Sequence, residues 1–161
     1  MKKFKLGIIV FLIISIVAYC DDFYYYELLK KGAFYMQLKK FDQAIEYFQR
    51  AISIAPQNFE GYYYLGNVYF QEGKNKKAEE NLEKAIEKFP EDPKDFNARI
   101  NLAQCYYSIA FVFLVEDEVQ KALKAFEKCI NLAPNSLVGD LALKEKTKIE
   151  NRMKTEGKML K

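Results

Sequence analysis

Residues 59–92 read FEGYYYLGNVYFQEGKNKKAEENLEKAIEKFPED, and residues 25–58 before them read YYELLKKGAFYMQLKKFDQAIEYFQRAISIAPQN. The two segments share five identical residues at a single spacing of 34: Gly32 and Gly66, Tyr35 and Tyr69, Ala44 and Ala78, Ala51 and Ala85, Pro56 and Pro90. Phe48 and Leu82 add an apolar match at the same spacing. Self-similarity at a fixed period of this size is typical of a protein built from repeated structural units.

Each unit is predicted to contain two helices joined by a short turn. In the first unit, residues from Phe23 to Leu38 have helical spacing, and a second apolar stripe follows Lys39 and Lys40. In the second unit, the residues 72–74 form the predicted turn. A proline follows each second helix, where it cannot continue the helix. Neither unit has the alternation of apolar and polar residues that indicates a strand.

The third unit, 93–136, is irregular because it holds ten extra residues. Its second half repeats the pattern of the second unit at an offset of 44, through Ala122, Phe126, Cys129 and Pro134. Its first half fits the pattern in two registers, through Asn101-Leu102-Ala103 with Tyr106 and through Ile109-Ala110 with Phe113. Seven residues fall only about 20° short of two full turns, so both registers present nearly the same helix face. We predict one continuous, lengthened helix from about Asp95 to Val115; the alternative places the extra residues in a loop.

On these residues the chain resembles the tetratricopeptide repeat family over roughly 25–136. The resemblance is carried by Leu28, Gly32, Tyr35, Ala44, Phe48, Ala51 and Pro56, and by Leu65, Gly66, Tyr69, Ala78, Leu82, Ala85 and Pro90. Tyr62 stands where the family commonly has Trp, and Lys31 departs from an apolar position. The resemblance implies an all-α fold, a tetratricopeptide-like array (α-solenoid) of about three antiparallel helix pairs at 25–58, 59–92 and 93–136. An unrelated helical bundle with accidental periodicity is the alternative.

Residues 137–161 are predicted to form a capping helix and a basic tail. Ser136 can cap the start of this helix. Its apolar stripe consists of Leu137, Val138, Leu141, Ala142, Ile149 and Met153. A repeat array exposes a hydrophobic end unless a helix with a polar outer face covers it, and the remaining positions here are rich in Lys and Glu.

The composition argues for a protein that binds rather than one that catalyses. The chain has no His, which removes the usual imidazole general base, the Ser-His-Asp and Cys-His systems and the common zinc sites. No Gly-rich phosphate loop or cluster of metal ligands is present in the sequence, so we expect no enzyme activity, cofactor or metal. From Cys20 onward the basic and acidic residues balance at 22 each, a poor match for nucleic acid.

The first twenty residues resemble a bacterial export signal. Three lysines precede an uncharged stretch from Leu6 to Tyr19, too short to cross a bilayer comfortably. The segment around Cys20 resembles a lipobox, which implies a signal peptide at 1–19, lipid attachment at Cys20 and an anchoring linker at 20–24. Tyr19 departs from that pattern, because a small residue is expected before the Cys. Ordinary cleavage and an uncleaved N-terminal anchor are the alternatives. We expect an exported protein of the cell envelope, held to a membrane.

By its resemblance to the family, the chain is expected to bind a peptide or partner protein in a concave groove lined by the first helix of each pair. The lining residues implied are Tyr26, Leu29, Ala33, Met36, Glu60, Tyr63, Asn67, Phe70, Gln71, Asn97, Ile100, Gln104 and Tyr107. Aromatic rings accept apolar side chains, and amides can bind the peptide backbone. No Lys or Arg stands at these positions, so capture of a terminal carboxylate by charge is not expected. The alternative is that these aromatic residues only pack together.

The end of the long helix is a second candidate surface. Residues 108–115 contain no charge, and eight residues of helix point side chains in all directions. We expect one side of this C-terminal end of the helix to extend beyond the neighbouring helices and to expose apolar surface. Three outcomes stay open: cover by the last helix through Leu137 and Leu141, docking of a partner, or self-association through Phe111 and Leu114.

Overall fold

The computed structural model describes residues 22–157, which form seven helices and no strand. The helices are α1 (22–37), α2 (Phe41–Ile54), α3 (Phe59–Gln71), α4 (Asn75–Glu87), α5 (Phe96–Val115), α6 (Val119–Leu132) and α7 (Leu137–Thr155). The predicted all-α array of three helix pairs with a C-terminal capping helix is confirmed. Residues 22–24, expected as part of a linker, already belong to α1. The predicted signal peptide, Cys20 and the last residues of the basic tail lie outside the described residues.

The same tight turn joins the two helices of each pair. It contains one residue in the left-handed region, with φ of 55° at Lys39, 74° at Gly73 and 59° at Asp117. The next amide reaches back to the last helical turn: Lys40 N to Tyr35 O at 2.9 Å, Lys74 N to Tyr69 O at 2.8 Å, and Glu118 N to Phe113 O at 2.8 Å. This is the Schellman arrangement, which ends a helix by pairing its free carbonyl groups. The shared turn makes Tyr35, Tyr69 and Phe113 structurally equivalent.

Small residues allow the two helices of a pair to approach closely. A Cβ atom added to Gly66 would lie 2.8 Å from Leu82 Cγ and 3.2 Å from the Ala78 carbonyl oxygen. At Gly32 it would lie 2.5 Å from the Phe48 ring. The repeated glycines are therefore explained by packing, because each leaves room for one large side chain of the second helix.

α5 is one continuous helix, as predicted, and it is seven residues longer than α3. Asp95 caps its start by accepting a hydrogen bond from Ala98 N at 2.8 Å. Because the turn at its C-terminal end matches the other two turns, the extra helical residues project at the N-terminal end. The expectation that the C-terminal end of α5 extends past its neighbours is therefore wrong. The remaining extra residues lengthen the connection between α4 and α5.

The composition of α5 is that of a core helix. It is the one helix among the described residues that is long and apolar enough to cross a membrane by length and composition alone. In the array it packs on α3, α4, α6 and α7. Leu102, Ala103, Cys105, Ile109, Ala110 and Val112 are all buried in these contacts. Ala103 belongs to the first of the two sequence registers and Ala110 to the second, and both are fully buried. The two registers therefore describe the same packed side of α5.

α7 covers the C-terminal end of the array. Ser136 caps it as predicted, with its Oγ accepting a hydrogen bond from Gly139 N at 3.1 Å. The buried contacts are made by Ala142 and Ile149, which lie seven residues apart on one face. Leu137 and Leu141 are 79% and 40% exposed, so they do not provide the cover that was one of the three outcomes left open for the end of α5. The polar cap itself is present.

We predict that Gly66→Leu lowers the free energy of unfolding by about 1–3 kcal/mol, because the new side chain forces α3 and α4 apart. Chemical denaturation followed by circular dichroism measures this change. Glu80→Leu, at an exposed position of α4, is the matched control and should change stability little. Equal stability of Gly66→Leu and the unmodified chain would contradict the close approach.

Candidate functional site

The shared turn aligns the first helices α1, α3 and α5 residue by residue. Residues that stand at the same distance in sequence before the turn form rows that cross the array. Three of these rows are Leu29, Tyr63 and Tyr107; Ala33, Asn67 and Phe111; and Met36, Phe70 and Leu114. A fourth row holds Tyr26, Glu60 and Gln104. We call the surface formed by these four rows the first-helix face.

Most of the predicted lining residues are accessible to solvent, including some that lie outside the four rows. Tyr26, Gln71 and Asn97 are exposed. The partly exposed ones are Ala33, Met36, Glu60, Tyr63, Asn67, Phe70, Ile100, Gln104 and Tyr107. Leu29 is only 6% exposed and belongs to the hydrophobic core. Its assignment to the open face is therefore wrong, because its side chain packs into the core although its position on α1 matches those of Tyr63 and Tyr107.

The register of α5 corrects two further assignments. The sequence register placed Asn97 and Ile100 opposite Glu60 and Tyr63, but the turn places Gln104 and Tyr107 there. Asn97 and Ile100 lie two turns nearer the N-terminus, on the part of α5 that projects past α3. Phe111 and Leu114 take their place on the face, and the sequence had assigned these two only to self-association. The one signal for this register was the acidic turn 116–118, which aligns with the turn 72–74.

Polar contacts hold the middle of the face in a fixed arrangement. Tyr25 donates its hydroxyl proton to Glu60 Oε2 at 3.1 Å. Burial, followed by the adjacent Glu60 charge, raises the pKa of Tyr25 well above its usual range, so this hydroxyl stays a donor. Asn67 Nδ2 donates to the carbonyl oxygen of Tyr63 at 2.8 Å, which orients the amide from its own helix. Burial also raises the pKa of Tyr63.

The face has little charge. Glu60 is the one charged residue in the four rows, and no Lys or Arg stands in them. Aromatic rings at Tyr63 and Phe70 and amides at Asn67 and Gln104 make up most of the remaining surface. This arrangement can accept apolar side chains and backbone amides of an extended chain, and it offers a carboxylate to a cationic group.

Phe111 and Tyr107 are also used inside the array. The Phe111 ring lies 5.5 Å from the Phe126 ring and 5.1 Å from the Tyr107 ring, and Tyr107 lies 5.9 Å from Phe126. All three pairs have the edge-to-face geometry that aromatic rings favour. Leu114 packs against the same core and faces a cleft shared with Ile149 of α7. Much of the apolar surface expected at the end of α5 is therefore covered within the chain.

A cleft that the sequence did not indicate runs between α4 and α6, on the side of the array opposite the first-helix face. Two adjoining cavities of about 480 and 550 Å³ share Ile86, Glu87, Tyr106 and Lys128. Lysines of α6 lie over its aromatic residues, with Lys128 Nζ 4.9 Å from the Tyr106 ring centre and Lys121 Nζ 5.2 Å from that of Phe113. Phe113 is 9% exposed. Lys121, Lys128 and Glu87 therefore place charged groups along the cleft, and the Phe113 ring that lines it is largely buried.

The two cysteines of the array provide no reactive group. Cys105 and Cys129 are both free and buried. Burial raises the pKa of each thiol to about 12, so both remain protonated at neutral pH, whereas the thiolate is the reactive form. No group of three or more His, Cys, Asp or Glu residues within 22–157 is arranged to hold a metal ion.

Sequence and structure comparisons identify related proteins. A model described as TPR repeat matches residues 32–73, and two described as Tetratricopeptide repeat match 59–92 and 98–136. No curated protein matches the chain. The first TPR domain of Spaghetti (RPAP3), bound to the HSP90 peptide SRMEEVD, is 22% identical, with a TM-score of 0.66. The match covers 80% of this chain and 92% of that one.

Two further solved structures are similar. The TPR2B domain of yeast Sti1, in a complex with pHsp70, is 18% identical with a TM-score of 0.69, covering 81% of this chain and 98% of that one. The N-terminal domain of stress-induced protein-1 from C. elegans is 21% identical with a TM-score of 0.64, covering 78% and 94%. At these identities the likeness shows the fold.

We predict that Phe111→Ser lowers the free energy of unfolding by about 2 kcal/mol, because it removes a half-buried ring from contact with Phe126. Thermal melting with the mass measured by light scattering tests this. Leu137→Ser, at a site that is 79% exposed, is the control and should melt like the unmodified chain. Unchanged melting of Phe111→Ser together with loss of a dimer would instead make Phe111 a self-association surface.

Proposed function

Because the chain is a tetratricopeptide repeat protein, we propose that it is a non-catalytic interaction scaffold of the bacterial cell envelope, where it binds a peptide or partner protein on its first-helix face. The observation that carries the proposal is the set of accessible aromatic and amide side chains on the first-helix face: Tyr26 of α1, Tyr63, Asn67 and Phe70 of α3, and Gln104 and Tyr107 of α5. Similar solved domains support it, since the first TPR domain of Spaghetti was solved with an HSP90 peptide and the second TPR domain of human RPAP3 with an HSP70 peptide.

The chemistry of the face indicates the kind of peptide. An extended segment gains affinity from apolar side chains between Tyr63, Phe70 and Phe111 and from backbone hydrogen bonds to Asn67 and Gln104. Glu60 favours a Lys or Arg in the bound segment. Because the four rows contain no cation, a terminal carboxylate has no charged partner on this face.

The absence of catalysis is part of the proposal. The chain contains no His, and the two buried thiols are protonated at neutral pH. Its acidic residues lie mainly on exposed helix surfaces, where they form ion pairs such as that of Glu27 with Lys30. These features leave neither an imidazole base nor a reactive thiolate among the described residues.

Attachment to a membrane rests on the sequence of the first twenty residues. Cleavage after Tyr19 and acylation of Cys20 would hold the array at a bilayer surface. Two alternatives differ in the fate of this segment: a binding module exported without lipid, and an assembly factor whose N-terminal segment stays in the membrane. Self-association through Phe111 and Leu114 is a weaker proposal, because Phe111 already packs on Phe126.

Peptides selected on the purified chain from a random phage-displayed library should bind the first-helix face. The double variant Asn67→Ala/Gln104→Ala should weaken them about tenfold or more, equivalent to about 1.4 kcal/mol. The control Gln43→Ala/Gln49→Ala removes two exposed amides of α2 and should leave the affinity unchanged. Amidation of the peptide C-terminus should also have little effect. A library that yields no binder, or binders indifferent to Asn67 and Gln104, contradicts the proposal.

Lipid attachment is tested by expressing the chain in a bacterium that processes lipoproteins. We expect a mature N-terminus at Cys20 that carries acyl chains, detected by mass spectrometry. Cys20→Ser should lose the acyl chains and membrane association, and Cys129→Ser should keep both. Normal processing and membrane association of Cys20→Ser would exclude lipidation. In the unmodified chain, retention of residues 1–19 would identify an uncleaved anchor, and cleavage without acyl chains, with release from the membrane, would identify an exported soluble module.

A further inference from the structure

α1 has large apolar side chains on two opposite faces. Its inner face packs into the core through Tyr25, Leu28 and Gly32. Its outer face carries Phe23, which is 63% exposed, and Phe34, which is 57% exposed. At about 100° per residue, Phe23 and Phe34 lie about 20° apart and nearly opposite Gly32. Leu38, directly after the helix, continues this line and is 50% exposed.

This outer line differs from the opposite end of the array. There α7 covers the last helix pair, whereas no helix within 22–157 covers the outer side of α1. Phe23, Phe34 and Leu38 lie along one line of α1, with the ion pair of Glu27 and Lys30 between the two rings, as in a helix that meets a surface with both apolar and charged groups. We call Phe23, Lys30, Phe34 and Leu38 the outer stripe of α1.

Basic side chains accompany the outer stripe. Lys30 lies between Phe23 and Phe34 on the same face, and Lys31 lies beside it. Glu27 pairs with Lys30, with 2.9 Å between Oε1 and Nζ. Lys39 and Lys40 follow in the turn next to Leu38, and both are exposed. Apolar side chains flanked by lysines match the boundary of a bilayer, where rings enter the lipid and ammonium groups meet phosphates.

The outer stripe begins close to the proposed lipid attachment site, which also favours a lipid bilayer as its partner. Cys20 precedes Phe23 by three residues, a reach of at most about 11 Å even for an extended chain. An acyl group on Cys20 would therefore hold the first turn of α1 at the membrane surface. An uncleaved anchor formed by residues 6–19 would do the same.

We propose that the outer stripe of α1 lies on the lipid bilayer and fixes the orientation of the array against the membrane. This inference rests on the membrane attachment proposed above. Phe23, Phe34 and Leu38 enter the interface, and Lys30 and Lys31 bind the phosphates of anionic lipids. α1 then lies along the membrane, and α7 is the helix farthest from it in the chain of contacts.

The chain contains no Trp, so one introduced Trp is a unique fluorescent reporter. The full chain with its anchor is reconstituted into vesicles of phosphatidylglycerol and dibrominated phosphatidylcholine in equal amounts, with unbrominated vesicles as reference. Because an interfacial helix buries its apolar face among the acyl chains, Phe34→Trp should lose at least about half of its fluorescence to bromine quenching. The control Leu137→Trp, on α7, should keep its fluorescence.

A second pair of variants tests the stripe itself. Leu38→Asp added to Phe34→Trp should reduce the quenching at position 34 by about half or more, because a carboxylate is expelled from the interface. Leu143→Asp, at a position of α7 that is 52% exposed, is the matched control and should leave the quenching unchanged. Circular dichroism melting of each variant confirms that the array is folded.

The outcomes separate this inference from the anchor. Chain that does not float with the vesicles overturns the attachment, and the stripe inference falls with it. Chain that floats, with position 34 unquenched, overturns the stripe inference alone. Emission from position 34 that is unquenched but shifts to shorter wavelength as the protein density rises would instead make the stripe a contact between two copies. Equal quenching at positions 34 and 137 would overturn a fixed orientation.

Discussion

The close contact between the two helices of each pair is the constraint on which the array depends. At Gly66 an added Cβ atom would lie 2.8 Å from Leu82 Cγ, so the second helix is held against the first with no space to spare. The Schellman turn at Gly73 sets where that contact begins by ending α3 at a fixed residue. Together the contact and the turn determine which side of α3 remains open. The first-helix face is a consequence of this packing.

The repeated residues made most of the fold predictable because they have geometric roles. A glycine opposite a phenylalanine, or a proline after a helix, constrains the backbone in the same way each time it occurs. The helix pairs and the long α5 followed from such residues, and the cap at Ser136 followed from a hydroxyl side chain directly before a predicted helix. The start of α2 did not follow in this way, because Lys40 holds its N-cap position without a side-chain hydrogen bond, and Asp42, whose side chain could cap a helix, lies within the first turn.

The candidate site was less predictable than the fold because helical periodicity is nearly degenerate over seven residues. Asn97 and Gln104 fit the same helix face within about 20°, so spacing alone could not choose between them. Only the backbone of the turn at Asp117, with its left-handed residue, fixes the choice. The prediction that Leu29 lines the open face was wrong for a different reason. A residue at the border between the packed and the open face of a helix can turn inward without any change in the sequence pattern. The cleft beside Tyr106 depends on side chains from three helices, which no local pattern reports.

The order of contacts along the chain has a consequence for folding kinetics. Each helix packs on those next to it in sequence, and the contacts that skip a helix, such as those of α3 with α5, reach only to the second neighbour. Proteins dominated by such short-range contacts fold quickly and can begin at any unit. A chain that becomes available from its N-terminus, as during synthesis, can therefore form each helix pair as it appears. It would not need to remain unfolded, and open to proteases, until its last helix has arrived.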